Sequence, residues 1–172
     1  MSKNSKTFKL VSIAFLIALQ VVLTRFIGIP TPYIRISFGY LPIVVIAILY
    51  GPIWAGTSYA IGDLLGSYLF PIGAPFFGFT LSAFLTGIIY GIVLHKKRIS
   101  LPRVLLSCIL VHIGVNLVLN TYWLSILMGK GYMALLPTRA IKNLIEIPVA
   151  TFLILIVSKA LKSSELSNQE AK

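Results

Sequence analysis

Acid is what this sequence has least of. Its 172 residues hold four Asp and Glu against fifteen Lys and Arg, and charged residues of both signs make up only 11% of the chain. A soluble globular domain carries about a quarter charged residues, so that class is excluded; the 58% hydrophobic content belongs to an integral membrane protein. The single cysteine, Cys108, rules out an internal disulfide and any cysteine-built metal cluster. No Walker-type phosphate loop is present, so the chain cannot itself hydrolyse ATP. HExxH, GxSxG and paired carboxylates at metal spacing are missing too, which leaves an intramembrane enzyme without its reacting groups and calls for neither metal nor cofactor. The net charge of +11 comes without a nucleic-acid-binding motif, and the basic residues gather at the ends of apolar runs instead.

Those runs predict an all-α membrane protein of six transmembrane helices, since about 20 apolar residues cross a hydrocarbon core. The expected spans are residues 8–28, 38–50, 53–70, 79–94, 104–128 and 137–161, forming one domain over 1–163 with a mobile polar tail over 164–172. The start is basic and then apolar, like a signal peptide, but no A-x-A site follows, so the first run reads as a retained helix. Residues 29–37 contain two prolines and no helical period and read as a loop. Lys3, Lys6, Lys9, Lys96, Lys97, Arg98, Arg103, Lys159, Lys162 and Lys172 all fall on one side of a six-span chain. By the positive-inside rule that side is cytoplasmic, with both termini on it, in a cell membrane crossed several times.

The other basic residues, Arg25, Arg35, Lys130, Arg139 and Lys142, then lie at or near the outer face. Beneath them are groups that a membrane span holds only at a cost, and such groups by default face a cavity or a protein interior. His112, Asn116, Asn120 and Trp123 recur at helical spacing on one face, and Arg139, Asn143 and Glu146 form a second stripe on the next span. The short connection between them requires an antiparallel pair, so the two stripes read as two walls of a pocket. Asp63 in the third span is expected at the same depth, and Lys142 is spaced to pair with Glu146. His112 reads as a satisfied core histidine. An outer cationic layer suits carboxylates or phosphates. A deeper layer of Asp or Glu with Asn suits a planar heterocycle, on which Tyr68, Tyr122, Trp123, Phe76 and Phe77 are able to stack. Tyr33 and Arg35 belong to the loop above.

Six spans in about 170 residues, the Ala14/Ala18 pair, the loop RISFGYLP from Arg35 to Pro42 and the stretch NTYWLSILMGKGYMALLPTRAIKNLIE from Asn120 to Glu146 together resemble the folate-specific substrate-binding (S) component of energy-coupling factor vitamin transporters. The resemblance implies a protein that captures folate from outside and joins a transmembrane coupling subunit and two cytoplasmic ATPases. It implies that Ala14 and Ala18 face the coupling subunit, that residues 29–37 act as a lid, and that the protein topples in the bilayer to release substrate. On this view Arg25, Arg35, Lys130 and Arg139 meet the glutamate carboxylates, while Asp63, Asn120, Asn143 and Glu146 are candidates for the pterin edge. An S component for another vitamin or heterocyclic precursor fits the same pattern, and an autonomous proton-coupled carrier using Asp63 and Glu146 is a further alternative.

Overall fold

The computed structural model describes residues 6–30, 35–71 and 75–170. Tyr33 lies outside them, and of Arg35 only the backbone is described. Among the described residues the chain forms six helices, α1 (Lys6–Arg25), α2 (Tyr40–Tyr50), α3 (Pro52–Leu69), α4 (Phe77–Leu94), α5 (Leu101–Met128) and α6 (Tyr132–Glu170). Four of them, α1, α4, α5 and α6, are long and apolar enough to cross a membrane. The 18-residue α3 is diluted by glycine, serine, threonine and Asp63. With 11 residues, α2 is too short to span the core at about 1.5 Å per residue.

The segment read as a plain loop carries a small antiparallel ladder, with β1 (Ile29–Pro30) paired to β2 (Arg35–Ile36) in the register Ile29↔Ile36. The last expected span also starts early. Helix α6 begins at Tyr132, five residues before Pro137, and carries both Pro137 and Pro148 inside it, while its far end continues past 163 to Glu170. Pro137 is the sixth residue of the helix, so it costs the bond its N–H would make to the Met133 carbonyl, yet the helix runs through it, and Pro137 cannot be taken as the helix boundary. Between α5 and α6 remain only Gly129–Gly131, and Gly129 takes the left-handed conformation, φ 64°, that ends a helix without a Cβ clash.

Helix α2 is the core of the bundle: Ile43, Val44, Ile46 and Ala47 are fully buried, and it touches α1, α3, α4 and α6. Helices α3 and α4 pack closely because glycine lets their backbones meet; a Cβ at Gly87 would lie 2.5 Å from the Ala55 carbonyl oxygen. Helix α4 stands between α3 and α5, and α5 packs on α6. The large side chains left exposed, such as Phe15, Ile53, Leu144 and Phe152, form the apolar exterior that a bilayer would cover.

The two ends of the bundle differ. At the end with the basic loops, His95 Nδ1 lies 3.0 Å from the Ile48 carbonyl oxygen, and the ring sits against Gly51 at the α2–α3 corner. Lys9 Nζ lies over the Trp54 ring, and Arg103 donates to the Arg98 carbonyl at 2.8 Å. At the other end lie the β-ladder and most of the polar side chains singled out from the sequence.

Candidate functional site

Helix α5 is not regular. Leu110–Leu119 is π-helical between two α-helical parts, Leu101–Ile109 and Asn120–Met128. The Asn120 amide donates to the Val115 carbonyl, five residues back, and normal spacing resumes beyond it. Each return from five- to four-residue bonding skips one carbonyl, which must find another donor if buried. Here the Arg139 guanidinium donates to the Asn116 carbonyl at 3.2 Å. Arg139, 9% exposed, thus has one guanidinium nitrogen engaged within the helix pair.

Around that junction the two predicted stripes meet. Asn120 Nδ2 donates to Asn116 Oδ1 at 2.9 Å, and Asn116 Nδ2 lies 3.4 Å from His112 Nδ1. The same ring nitrogen is 3.4 Å from Asn143 Oδ1 and 3.4 Å from Glu146 Oε2, and which of them it engages follows its tautomer. Lys142 Nζ closes on Glu146 Oε2 at 3.0 Å, as its spacing predicts. The stripes thus interlock through their own hydrogen bonds instead of standing apart as two walls. The buried polar atoms with no hydrogen-bond partner among the described residues include Thr121 Oγ1, the acceptor Asn120 Oδ1 and the donor Asn143 Nδ2. A buried polar atom without a partner costs about 1–3 kcal/mol, so a leftover donor and acceptor in one cluster are groups that a ligand is suited to satisfy.

Asp63 belongs to a different group. Thr80 of α4 donates to Asp63 Oδ2 at 2.8 Å, and the Arg25 guanidinium, within electrostatic reach of Asp63, donates to Ser67 Oγ at 2.8 Å. Helix α4 stands between α3, which carries Asp63, and α5, which carries Asn120, and it supplies Asp63 with a hydrogen-bond partner of its own. Between α3 and α4 lies a small open hollow, with a cavity volume of about 20 Å³, lined by Leu64, Ser67, Tyr68, Pro75, Phe76, Phe77 and Thr80.

The start of α4 joins the two groups. Trp123 Nε1 donates to Ser82 Oγ at 3.1 Å, and the Trp123 ring lies 5.8 Å from Phe76 and 5.2 Å from Tyr122, centroid to centroid. Gly78 makes room for two of these rings, since a Cβ there would come within 2.6 Å of Phe76 and of Trp123. Tyr68 and Lys130 are exposed. Thr80, Ser82 and Ser67 were not legible as site residues, because hydroxyls in a helix commonly bond their own backbone and carry no distinguishing cost. Gln20 was legible in principle: an amide in a membrane span is as costly as the asparagines, and it is 1% exposed against Gly62. Among the described residues no three of His, Cys, Asp and Glu cluster closely enough to hold a metal.

On α1 the inward side holds Ile13, Gln20 and Val21, the buried residues of that helix. The outward side presents Val11, Ala14, Phe15, Ala18 and Val22. Ala14 and Ala18 therefore do not pack inside this chain.

The comparisons with known proteins name transporters of two vitamins. The pattern that describes the ECF-type riboflavin transporter S component family matches residues 4–163. The chain is 42% identical over 163 residues to the folate transporter FolT of Clostridium novyi (strain NT), covering 95% of each chain. To the folate transporter FolT of Leuconostoc mesenteroides subsp. mesenteroides it is 34% identical, covering 83% of this chain and 80% of that one. Among solved structures, a crystal structure of FolT bound with folic acid superposes with a TM-score of 0.84 at 36% identity, covering 91% of this chain and 95% of the other.

Proposed function

Since this chain belongs to the ECF-type riboflavin transporter S component family, a family of multi-pass membrane transport components, we propose that it is the folate-binding S component of a vitamin uptake transporter. The observation that carries this reading is the 42% identity, across 95% of both chains, to a protein named as a folate transporter. The chemistry of the outer end supports it. Riboflavin and folate both offer a planar heterocycle with an amide-like edge, but the riboflavin tail is a neutral polyol and the folate tail carries two carboxylates. Arg25, Lys130 and Arg139 suit the second tail, and Arg35 adds a further charge to that end of the sequence.

For the heterocycle, the leftover acceptor Asn120 Oδ1 and donor Asn143 Nδ2 are the first candidates. Glu146 is already engaged by Lys142 and Asp63 by Thr80, which makes these carboxylates second candidates. Trp123 is positioned to stack, with Tyr68 beside the α3–α4 hollow; Tyr33 belongs to the segment that would close over the ligand. Having no ATP-binding motif, the chain would draw its energy from a coupling subunit and two ATPases, with the Ala14/Ala18 face of α1 as the contact. Support for that face is its exposure and its small side chains, which allow a partner helix to approach closely.

Calorimetry on the purified chain with folic acid, riboflavin and a pterin lacking the glutamate tail tests the assignment. Folic acid is expected to bind and riboflavin to leave it undisplaced; tight riboflavin binding without folic acid binding would overturn the substrate. Arg139→Ala is expected to weaken folic acid more than the truncated pterin, and equal losses would remove the arginine from the tail. Ala14→Trp should keep folic acid binding and abolish assembly with the coupling module; loss of binding in detergent would make the pair internal packing after all.

A further inference from the structure

Three long side chains on the inward side of α1 reach α3, in the same order along both helices. At the basic end Lys9 Nζ lies 3.9 Å from the centroid of the Trp54 ring and 5.3 Å from that of Tyr50. In the middle the Gln20 amide lies against Gly62, where a Cβ would collide with it. At the outer end Arg25 donates to Ser67 and crosses Gly66. Apolar packing alone sets this helix weakly: of its 20 residues only Ile13, Gln20 and Val21 are buried. In a bilayer the hydrophobic effect adds no preference for one rotation, because lipid covers apolar side chains as well as protein does.

We propose that the Lys9–Trp54–Tyr50 contact is a positioning clasp. It fixes the rotation of the inner half of α1 and so aims the Ala14/Ala18 face at the coupling subunit. The inference rests on the S-component reading above and adds a residue to it that touches neither ligand nor partner. A lysine near the end of a span ordinarily extends its ammonium to the headgroups, and Lys6, exposed one turn earlier, is free to do that. Lys9 instead lies over an indole face, the most favourable ring for a cation. Helical residues successive in sequence are turned by about 100°, so a roll of one position replaces Ala14 and Ala18 by neighbours as large as Phe15. Rotation is therefore a variable to which a small-residue contact is sensitive, and the clasp is the directional contact at the end nearest the basic loops.

The test uses the full chain, alone and assembled with its coupling module in proteoliposomes, with radiolabelled folic acid as probe. The variants are Lys9→Gln, Trp54→Leu, their double, Lys9→Arg and the control Lys6→Gln. Folic acid binding to each variant alone should stay within about twofold of wild type. Assembly and ATP-driven uptake should fall about five- to thirtyfold in Lys9→Gln and in Trp54→Leu, the range a cation–π contact supports. The double should fall no further than the singles, and Lys9→Arg and Lys6→Gln should keep wild-type uptake. Wild-type uptake in Lys9→Gln overturns the proposal, as does a double that multiplies the single losses. An equal loss in Lys6→Gln also overturns it, since charge at that end would then suffice, and so does binding that falls in step with uptake. A wild-type chain that does not bind folic acid would overturn the S-component reading itself, a result separate from all of these.

Discussion

Replacing Lys142 by methionine keeps most of the side chain's volume and removes its charge, so the change isolates the ion pair with Glu146. The two charged atoms are 3.0 Å apart and their side chains are 12% and 16% exposed. Removing one member of a buried pair costs about 3–5 kcal/mol, because the other charge stays behind without compensation. The residual exposure of both groups puts the expected loss at the lower end, about 3 kcal/mol. For a chain of this size 1 kcal/mol corresponds to about 2–4 °C in Tm, so the apparent Tm in detergent should drop by about 6–12 °C. The double variant Lys142→Met/Glu146→Gln removes both charges and should return to within about 1 kcal/mol of wild type, a strong positive coupling for residues in contact. Unfolding followed by the fluorescence of Trp54 and Trp123, without ligand, measures all four corners of the cycle. A Lys142→Met variant as stable as wild type would refute the reasoning, as would a double variant worse than either single. The same double variant asks whether Glu146 reads the ligand. Folic acid affinity within about threefold of wild type assigns the carboxylate to the framework of the site, and a loss above about a hundredfold assigns it to the heterocycle.

Asn143→Leu, which deletes the buried unmatched donor at nearly constant volume, should weaken folic acid binding by about 5- to 150-fold, the equivalent of 1–3 kcal/mol, in an equilibrium titration; unchanged affinity would remove Asn143 from the heterocycle. Arg25→Met breaks the bond to Ser67 and should reduce folic acid affinity more than that of a pterin without the glutamate tail, as measured by competition. Gly62→Ala places a Cβ onto the Gln20 amide and should destabilise the chain by about 1–3 kcal/mol. Adding Gln20→Ala should restore most of that in a thermal melt, and no rescue would mean that the two helices do not meet at this pair.

Much of the outer end was readable because the cost of burying a polar group in a membrane is large and local. His112, Asn116, Asn120, Arg139, Asn143 and Glu146 were picked out by that cost and by spacing, and they form one bonded cluster. Helix number was readable for the same reason, since span length is a property of short stretches. Spacing alone mistook Pro137 for a helix boundary and took 29–37 for a plain loop, because a tolerated proline and a two-residue ladder leave no periodic trace.

What the linear order of residues determined by itself was which groups must be hidden from lipid and along which helix face they lie, because both follow from solvation cost and the turn of a helix. Only the folded bundle decided who meets whom. It gave Asp63 a partner in Thr80, turned Arg139 onto a carbonyl released by the π-helical stretch of α5, and laid Lys9 over Trp54. Those choices depend on how six helices are rotated and tilted against one another, and that arrangement is set by contacts between residues far apart in the chain, such as Gly87 against Ala55, which no single segment encodes.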